Sequence, residues 1–258
     1  MNFRFLFAPA SITDVSVSLP TTSDFFKALT FQAGYNSNIV LLGTTLLGIA
    51  AGVVGCFALL RKKSLISDAL AHSALPGLAL AFIFAASFNL PLKSLGILLT
   101  GAALSGILGI VCVQFISKNS RIQEETSIGI VLSVFFGTGV VLLSVIQSMN
   151  TGKEAGLKNF IYGQTAAMLS SDALITLVVA LIAICSTIIM LKEFVLVCFD
   201  EEFASVQGLP VSLVDLMMMS LVVLVTVVGL QSVGLILIVA LLIIPAAAAR
   251  FWTENLRI

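Results

Sequence analysis

The sequence predicts an all-α integral membrane protein, a polytopic helical bundle with about seven transmembrane helices. Three observations carry that expectation. Of 258 residues, 59% are hydrophobic and only 10% are charged, against about 25% charged in a soluble domain, and the mean hydropathy is +1.15. A soluble chain of this size has too few charges here to cover its surface. Second, the charges fall between apolar runs long enough to cross a hydrocarbon layer of about 30 Å. Third, the longest run carries a turn signal in its middle. The same arithmetic excludes disorder, which needs a charge-rich and apolar-poor chain. With 13 basic and 13 acidic residues there is no basic excess to attract nucleic acid.

The first 35 residues are expected to form an outer or interfacial arm. Its start, MNFRFLFAPASITD, has an apolar stretch too short for a signal-peptide core and is read as part of the mature chain. The first span covers about residues 38–60, after Lys27 and before Arg61. The second covers about 68–86 and is unusual in carrying Pro76 and two ionisable groups. Lys93 and Lys118 enclose a third span, Glu125 and Lys153 a fourth, and a fifth runs over about 172–191. The uncharged run 216–249 is too long for one comfortable span. Gly229-Leu230-Gln231-Ser232-Val233-Gly234 reads as a tight turn that splits it into two short helices. Residues 156–171, GLKNFIYGQTAAMLSS, are too polar to span and read as a short re-entrant or surface helix.

The positive-inside rule sets the direction. With the first span starting outside, the inner ends carry Arg61, Lys62, Lys63, Lys118, Arg121, Lys192, Arg250 and Arg257, and the outer side keeps Arg4, Lys27, Lys93, Lys153 and Lys158. Gly48 with Gly52, and Gly101 with Ser105 and Gly109, form small-residue stripes at helical spacing that let backbones approach closely in lipid. Cys56, Cys112, Cys185 and Cys198 form no CxxC pair and read as small apolar residues.

Charge inside a membrane is costly and usually functional. Asp68 and His72, the only histidine, lie four residues apart in SLISDALAHSALPGLALAF. That spacing puts both on one helix face, about 5–6 Å apart at Cβ. A carboxylate oxygen and an imidazole nitrogen make half a site for Mn²⁺, Fe²⁺ or Zn²⁺. Two ligands hold an ion weakly enough for it to leave, and a symmetric second copy would add two more. The competing reading is an ion pair that fixes the helix end, and the residues alone do not choose between them. Pro76 removes a backbone donor and is expected to break the helix near His72, where a polar path can pass.

The second constellation is LVCFDEEFASVQGLP, residues 196–210. Asp200, Glu201 and Glu202 lie beside Phe199, Phe203 and Val206, whose i, i+4, i+7 spacing gives a short helix one apolar face. Gly208 and Pro210 end it. Such a helix either docks on a partner or rests on the bilayer. In residues 227–250, Gln231 and Pro245 need only a kinked hairpin. The chain has no GxxxxGK[ST] phosphate loop, no HExxH, no GxSxG and no arginine ladder, which argues against ATP binding by that loop, zincin or serine-hydrolase chemistry, and voltage sensing.

Three segments in this order, SDALAHSALPGLALAF, FDEEFASVQGL and VGLQSVGLILIVALLIIPAAAAR, resemble the membrane permeases of ABC-type zinc, manganese and iron importers. The resemblance runs from about residue 38 to the end. It implies a single permease domain over 1–258 in a bacterial inner membrane, usually with one or two further spans, and the charge bias above puts its N-terminus outside. It implies an extracytoplasmic metal-binding protein, a second identical or homologous permease chain, and a cytosolic ABC ATPase that hydrolyses ATP for a chain that is not itself an enzyme. No cofactor is bound permanently, and the ion is cargo. Asp68 and His72 would line the path, with the Pro76 break beside it. Residues 196–210 would be the coupling segment, with Phe199, Asp200, Glu201, Glu202, Phe203 and Gly208 meeting the ATPase. Zinc-type relatives often carry a histidine in the fourth span where this chain has Ser133, so manganese or iron is favoured, with zinc possible. The alternative is a secondary carrier or channel that needs no ATP.

Overall fold

A computed structural model describes residues 22–32, 34–61, 64–88, 95–148, 163, 165 and 168–252. Arg4, Lys62, Lys63, Lys93, Lys153, Lys158, Arg257 and most of residues 156–171 lie outside that set, as does most of the N-terminal arm. The described helices are α1 (Thr22–Leu29), α2 (Tyr35–Leu60), α3 (Ser64–Ser87), α4 (Leu95–Asn119), α5 (Glu124–Ser148), α6 (Ser170–Ile189), α7 (Leu191–Phe199), α8 (Glu201–Val206), α9 (Val211–Val233) and α10 (Leu235–Trp252). Seven of them, α2 to α6 with α9 and α10, are long and apolar enough to cross a membrane. The chain is a polytopic all-α membrane protein, and its spans fall within a few residues of the runs that charge delimits.

The chain divides into two compact units, residues 1–38 and 39–258. In the first, Thr30 donates its hydroxyl to the Phe26 carbonyl at 2.8 Å, closing the end of α1. The Asn38 amide donates to the Phe31 carbonyl at 2.7 Å across the link into α2.

The second unit is organised around α3 and α9. In these two spans 67% and 61% of residues are buried, against 44% or less in every other. Their composition explains the difference. α3 lines its contacts with Ala69, Ala71, Ala74, Ala79 and Ala85, small enough for neighbours to come close on several sides. It packs mainly against α4 and α5, and α9 bears on α4, α6, α3 and α10. α2 buries Leu47, Ala50, Ala51, Val54 and Ala58, one stripe at helical spacing. Without a hydrophobic drive between helices in lipid, close backbone contact holds them together. A Cβ on Gly77 of α3 would collide with the Gly101 carbonyl of α4, and Ser105 of α4 donates its hydroxyl to the Ser73 carbonyl of α3 at 2.7 Å. The Gly101, Ser105, Gly109 stripe therefore faces α3. On α2 the close approach is at Gly55, against the Leu242 backbone of α10, while Gly48 meets nothing within 4 Å.

Three local expectations are corrected. Pro76 does not break α3, which runs unbroken from Ser64 to Ser87. The ring costs one bond, the one that the His72 carbonyl would accept. The rest of the helix is kept, and α5 presents Gly139 there, where a side chain would press on Leu75 and the proline ring. The turn in the last apolar run is a single residue, Gly234 at φ +86°, which glycine adopts at no steric cost. Gly229 to Val233 stay helical, and Ile238 of α10 packs onto Gly229 at the bend. Finally, residues 199–206 are not one helix. Phe199 ends α7, Asp200 leaves helical geometry at φ −147°, and α8 starts at Glu201, so Phe199 does not share a face with Phe203 and Val206.

Candidate functional site

α3 starts where α2 finishes, because only residues 61–63 join them. Asp68 and His72 thus lie about 6 and 12 Å along a helix of about 36 Å, toward its Arg61 end. The i, i+4 pairing is present, with His72 Nε2 3.5 Å from Asp68 Oδ1. The Asp68 side chain is 47% exposed and that of His72 23%. The contact is longer than the usual hydrogen bond of about 2.9 Å. Two donors at this separation can share one ion about 2.1 Å from each, near the tetrahedral angle. The other imidazole nitrogen, Nδ1, is buried with no hydrogen-bond partner among the described residues. Phe136 of α5 closes edge-on against the imidazole at 4.8 Å. Ser133, one turn earlier on α5, spends its hydroxyl on the Gly129 carbonyl of its own helix at 2.9 Å. No three His, Cys, Asp or Glu side chains gather into a metal site among the described residues, so the pair is half a site. The i, i+4 ridge continues through Pro76 to Leu80 and Phe84, both more than half exposed on a helix whose residues are mostly buried.

At the same end of the bundle, the structure adds residues that spacing did not single out. Arg61, one residue past α2, donates from Nη1 to Glu201 Oε2 of α8 at 2.9 Å and to the Val197 carbonyl of α7 at 3.1 Å. Its Nε and Nη2 reach Asp215 Oδ1 of α9 at 3.2 and 3.1 Å. The other oxygen of Asp215 accepts from Gln114 Nε2 of α4 at 3.0 Å. The Arg61 and Asp215 side chains are only 13% and 7% exposed. Burial alone disfavours the charged guanidinium, but Asp215 and Glu201 outweigh it and hold the Arg61 pKa above its ordinary value. Arg61 therefore stays charged throughout the working range.

The 196–210 segment is built as a bend. Asp200 caps α8, its Oδ1 accepting the Phe203 N–H at 2.8 Å. Gly208 at φ +82° ends it, with the Leu209 N–H returning to the Ala204 carbonyl at 3.1 Å. Ala204 is buried, while Phe199, Asp200, Glu201, Glu202, Phe203 and Val206 are exposed. The segment is thus anchored through Ala204 and the Glu201–Arg61 bond and presents Glu202, Phe203 and Val206 of α8 outward.

Residues 36–258 match the ABC 3 transport family. The chain belongs to that family. As an ABC 3 chain it is 47% identical to the manganese transport system membrane protein MntC of Bacillus subtilis over 232 residues, 90% of this chain and 52% of that protein. It therefore spans about half the length of that relative. It is 42% identical to the zinc transport system membrane protein TroC of Treponema pallidum over 224 residues, 87% of this chain and 74% of that protein. Among solved structures, PsaBC from Streptococcus pneumoniae in complex with Fab is similar at a TM-score of 0.75 and 34% identity, covering 92% of this chain and 79% of that one. The ABC 3 match includes all but the first residue of the seven spans, the Asp68–His72 pair, the Arg61 cluster and the α7–α8 bend.

Proposed function

We propose that this ABC 3 chain is the permease subunit of an ATP-driven importer of a divalent transition metal, manganese or zinc, working by alternating access. The observation that carries the reading is the Asp68–His72 pair, held on the most buried span of a chain in this family. An ion pair made only to fix a helix end would be closer, within ordinary hydrogen-bond distance. A pair left open at Nε2 and Oδ1, too far apart for an ordinary hydrogen bond, suits a cation that arrives and departs. The relatives named for manganese and zinc support those two ions, and neither is named for iron.

The chain would be a single permease domain behind an N-terminal arm, in a bacterial inner membrane, with the N-terminus outside and the Arg61 end in the cytosol. A second permease chain would cover Leu80 and Phe84 and supply the ligands that the half-site lacks. An extracytoplasmic binding protein would deliver the ion. A cytosolic ABC ATPase would dock on α8 through Glu202, Phe203 and Val206, and would do the hydrolysis. The test is reconstitution into liposomes with the ATPase that co-purifies. ATP-dependent manganese accumulation is the expected result. Gradient-driven flux by this chain alone would replace the importer with a secondary carrier or channel.

A further inference from the structure

We propose that Arg61, Asp215 and Gln114 form the joint that carries movement of α8 to the ion-path helices, with Arg61 as a positioning residue for transport. This depends on α8 being the ATPase docking segment. The geometry is an unbroken chain of short bonds. Glu201 of the exposed α8 holds Arg61 at 2.9 Å, Arg61 holds Asp215 of α9 at 3.1 Å, and Asp215 holds Gln114 of α4 at 3.0 Å. α4 in turn holds α3 through Ser105 and the carbonyl of Ser73, the residue next to His72, at 2.7 Å. Bonded contacts and helices thus connect the docking surface to the candidate ion ligands without a gap.

The choice of residues fits a transmission better than a plain anchor. A guanidinium presents five donors in a rigid plane and here makes four contacts to α7, α8 and α9, one more than a lysine ammonium has donors for. An anchor meant only for stability is served as well by apolar side chains, since burying an ion pair costs desolvation. Nor does a stability role need Glu201, whose side chain is 59% exposed and whose pairing there is worth little in static terms.

The experiment measures manganese carried per ATP hydrolysed by the reconstituted importer, with Arg61→Lys and with Arg61→Met combined with Asp215→Leu. The double variant is expected to assemble and hydrolyse ATP while manganese per ATP falls about fivefold or more. Arg61→Lys keeps the charge and loses the fork, and is expected to lower the ratio by a smaller factor. An unchanged ratio in both variants overturns the proposal and leaves the importer reading intact. If the double variant does not assemble, Arg61→Lys decides alone, a lowered ratio supporting the joint and a wild-type ratio overturning it. Wild-type complexes without ATP-dependent uptake would instead remove the importer reading, and this inference with it, ahead of any substitution.

Discussion

The two polar constellations at the Arg61 end of the bundle are built in opposite ways. The Asp68–His72 pair is open, with a 3.5 Å contact, a half-exposed carboxylate and one imidazole nitrogen that has no hydrogen-bond partner among the described residues. The Arg61 cluster is closed, with a nearly buried guanidinium bonded to three elements and both oxygens of Asp215 engaged. Burial is costly for polar groups in either place. One site meets that cost internally and is therefore rigid. The other has no hydrogen bond closing Nε2 onto Oδ1 and is therefore receptive. The proposed importer needs both kinds, one to hold its own parts together and one to hold a cargo for a time.

The largest expected effect breaks the closed site. Asp215→Ala leaves Arg61 buried without its main counter-charge and is expected to cost about 3–5 kcal/mol in equilibrium unfolding in mixed micelles. A loss below about 1 kcal/mol, the scale of an exposed pair, would erase the contrast between the two sites. The opposite sign is expected at the open site. His72→Leu removes an unserved polar atom, so stability should change by no more than about 1 kcal/mol and in the stabilising direction, while manganese binding is lost. A destabilisation as large as that of Asp215→Ala would show that His72 is a structural member of the bundle. The smallest effect calibrates the scale. Ser105→Ala removes one interhelical hydrogen bond and should cost about 0.6 kcal/mol, read by the same unfolding measurement.

Much of this was legible because the two constellations differ in sequence separation. Asp68 and His72 are four apart on one helix, so the period of the α-helix is enough to place them together. The seven spans were legible for a related reason, since charges in this chain sit at helix ends. Arg61 and Asp215 are separated by 154 residues, and no spacing rule reaches that far. Asp215 was also masked by the reading of the last apolar run from residue 216, when α9 starts at Val211 and carries the carboxylate inside its first turns. Asp200 broke an apparently regular i, i+4, i+7 pattern because its side chain caps a new helix and does not continue the old one. Pro76 misled in the other direction. Its local chemistry argues for a break, but Gly139 on a neighbouring helix makes room for the ring, and a tertiary contact of that kind is not written in α3 itself.

The proposed import depends on the open pair being where the ion is held. The most direct measurement is manganese uptake by the assembled complex carrying Asp68→Ala or His72→Ala, with assembly and ATP hydrolysis followed in parallel. Each variant is expected to assemble and to lose manganese uptake by about tenfold or more, at least what the loss of a mere outer-shell partner costs a metal site. Uptake at the wild-type rate in both would contradict it.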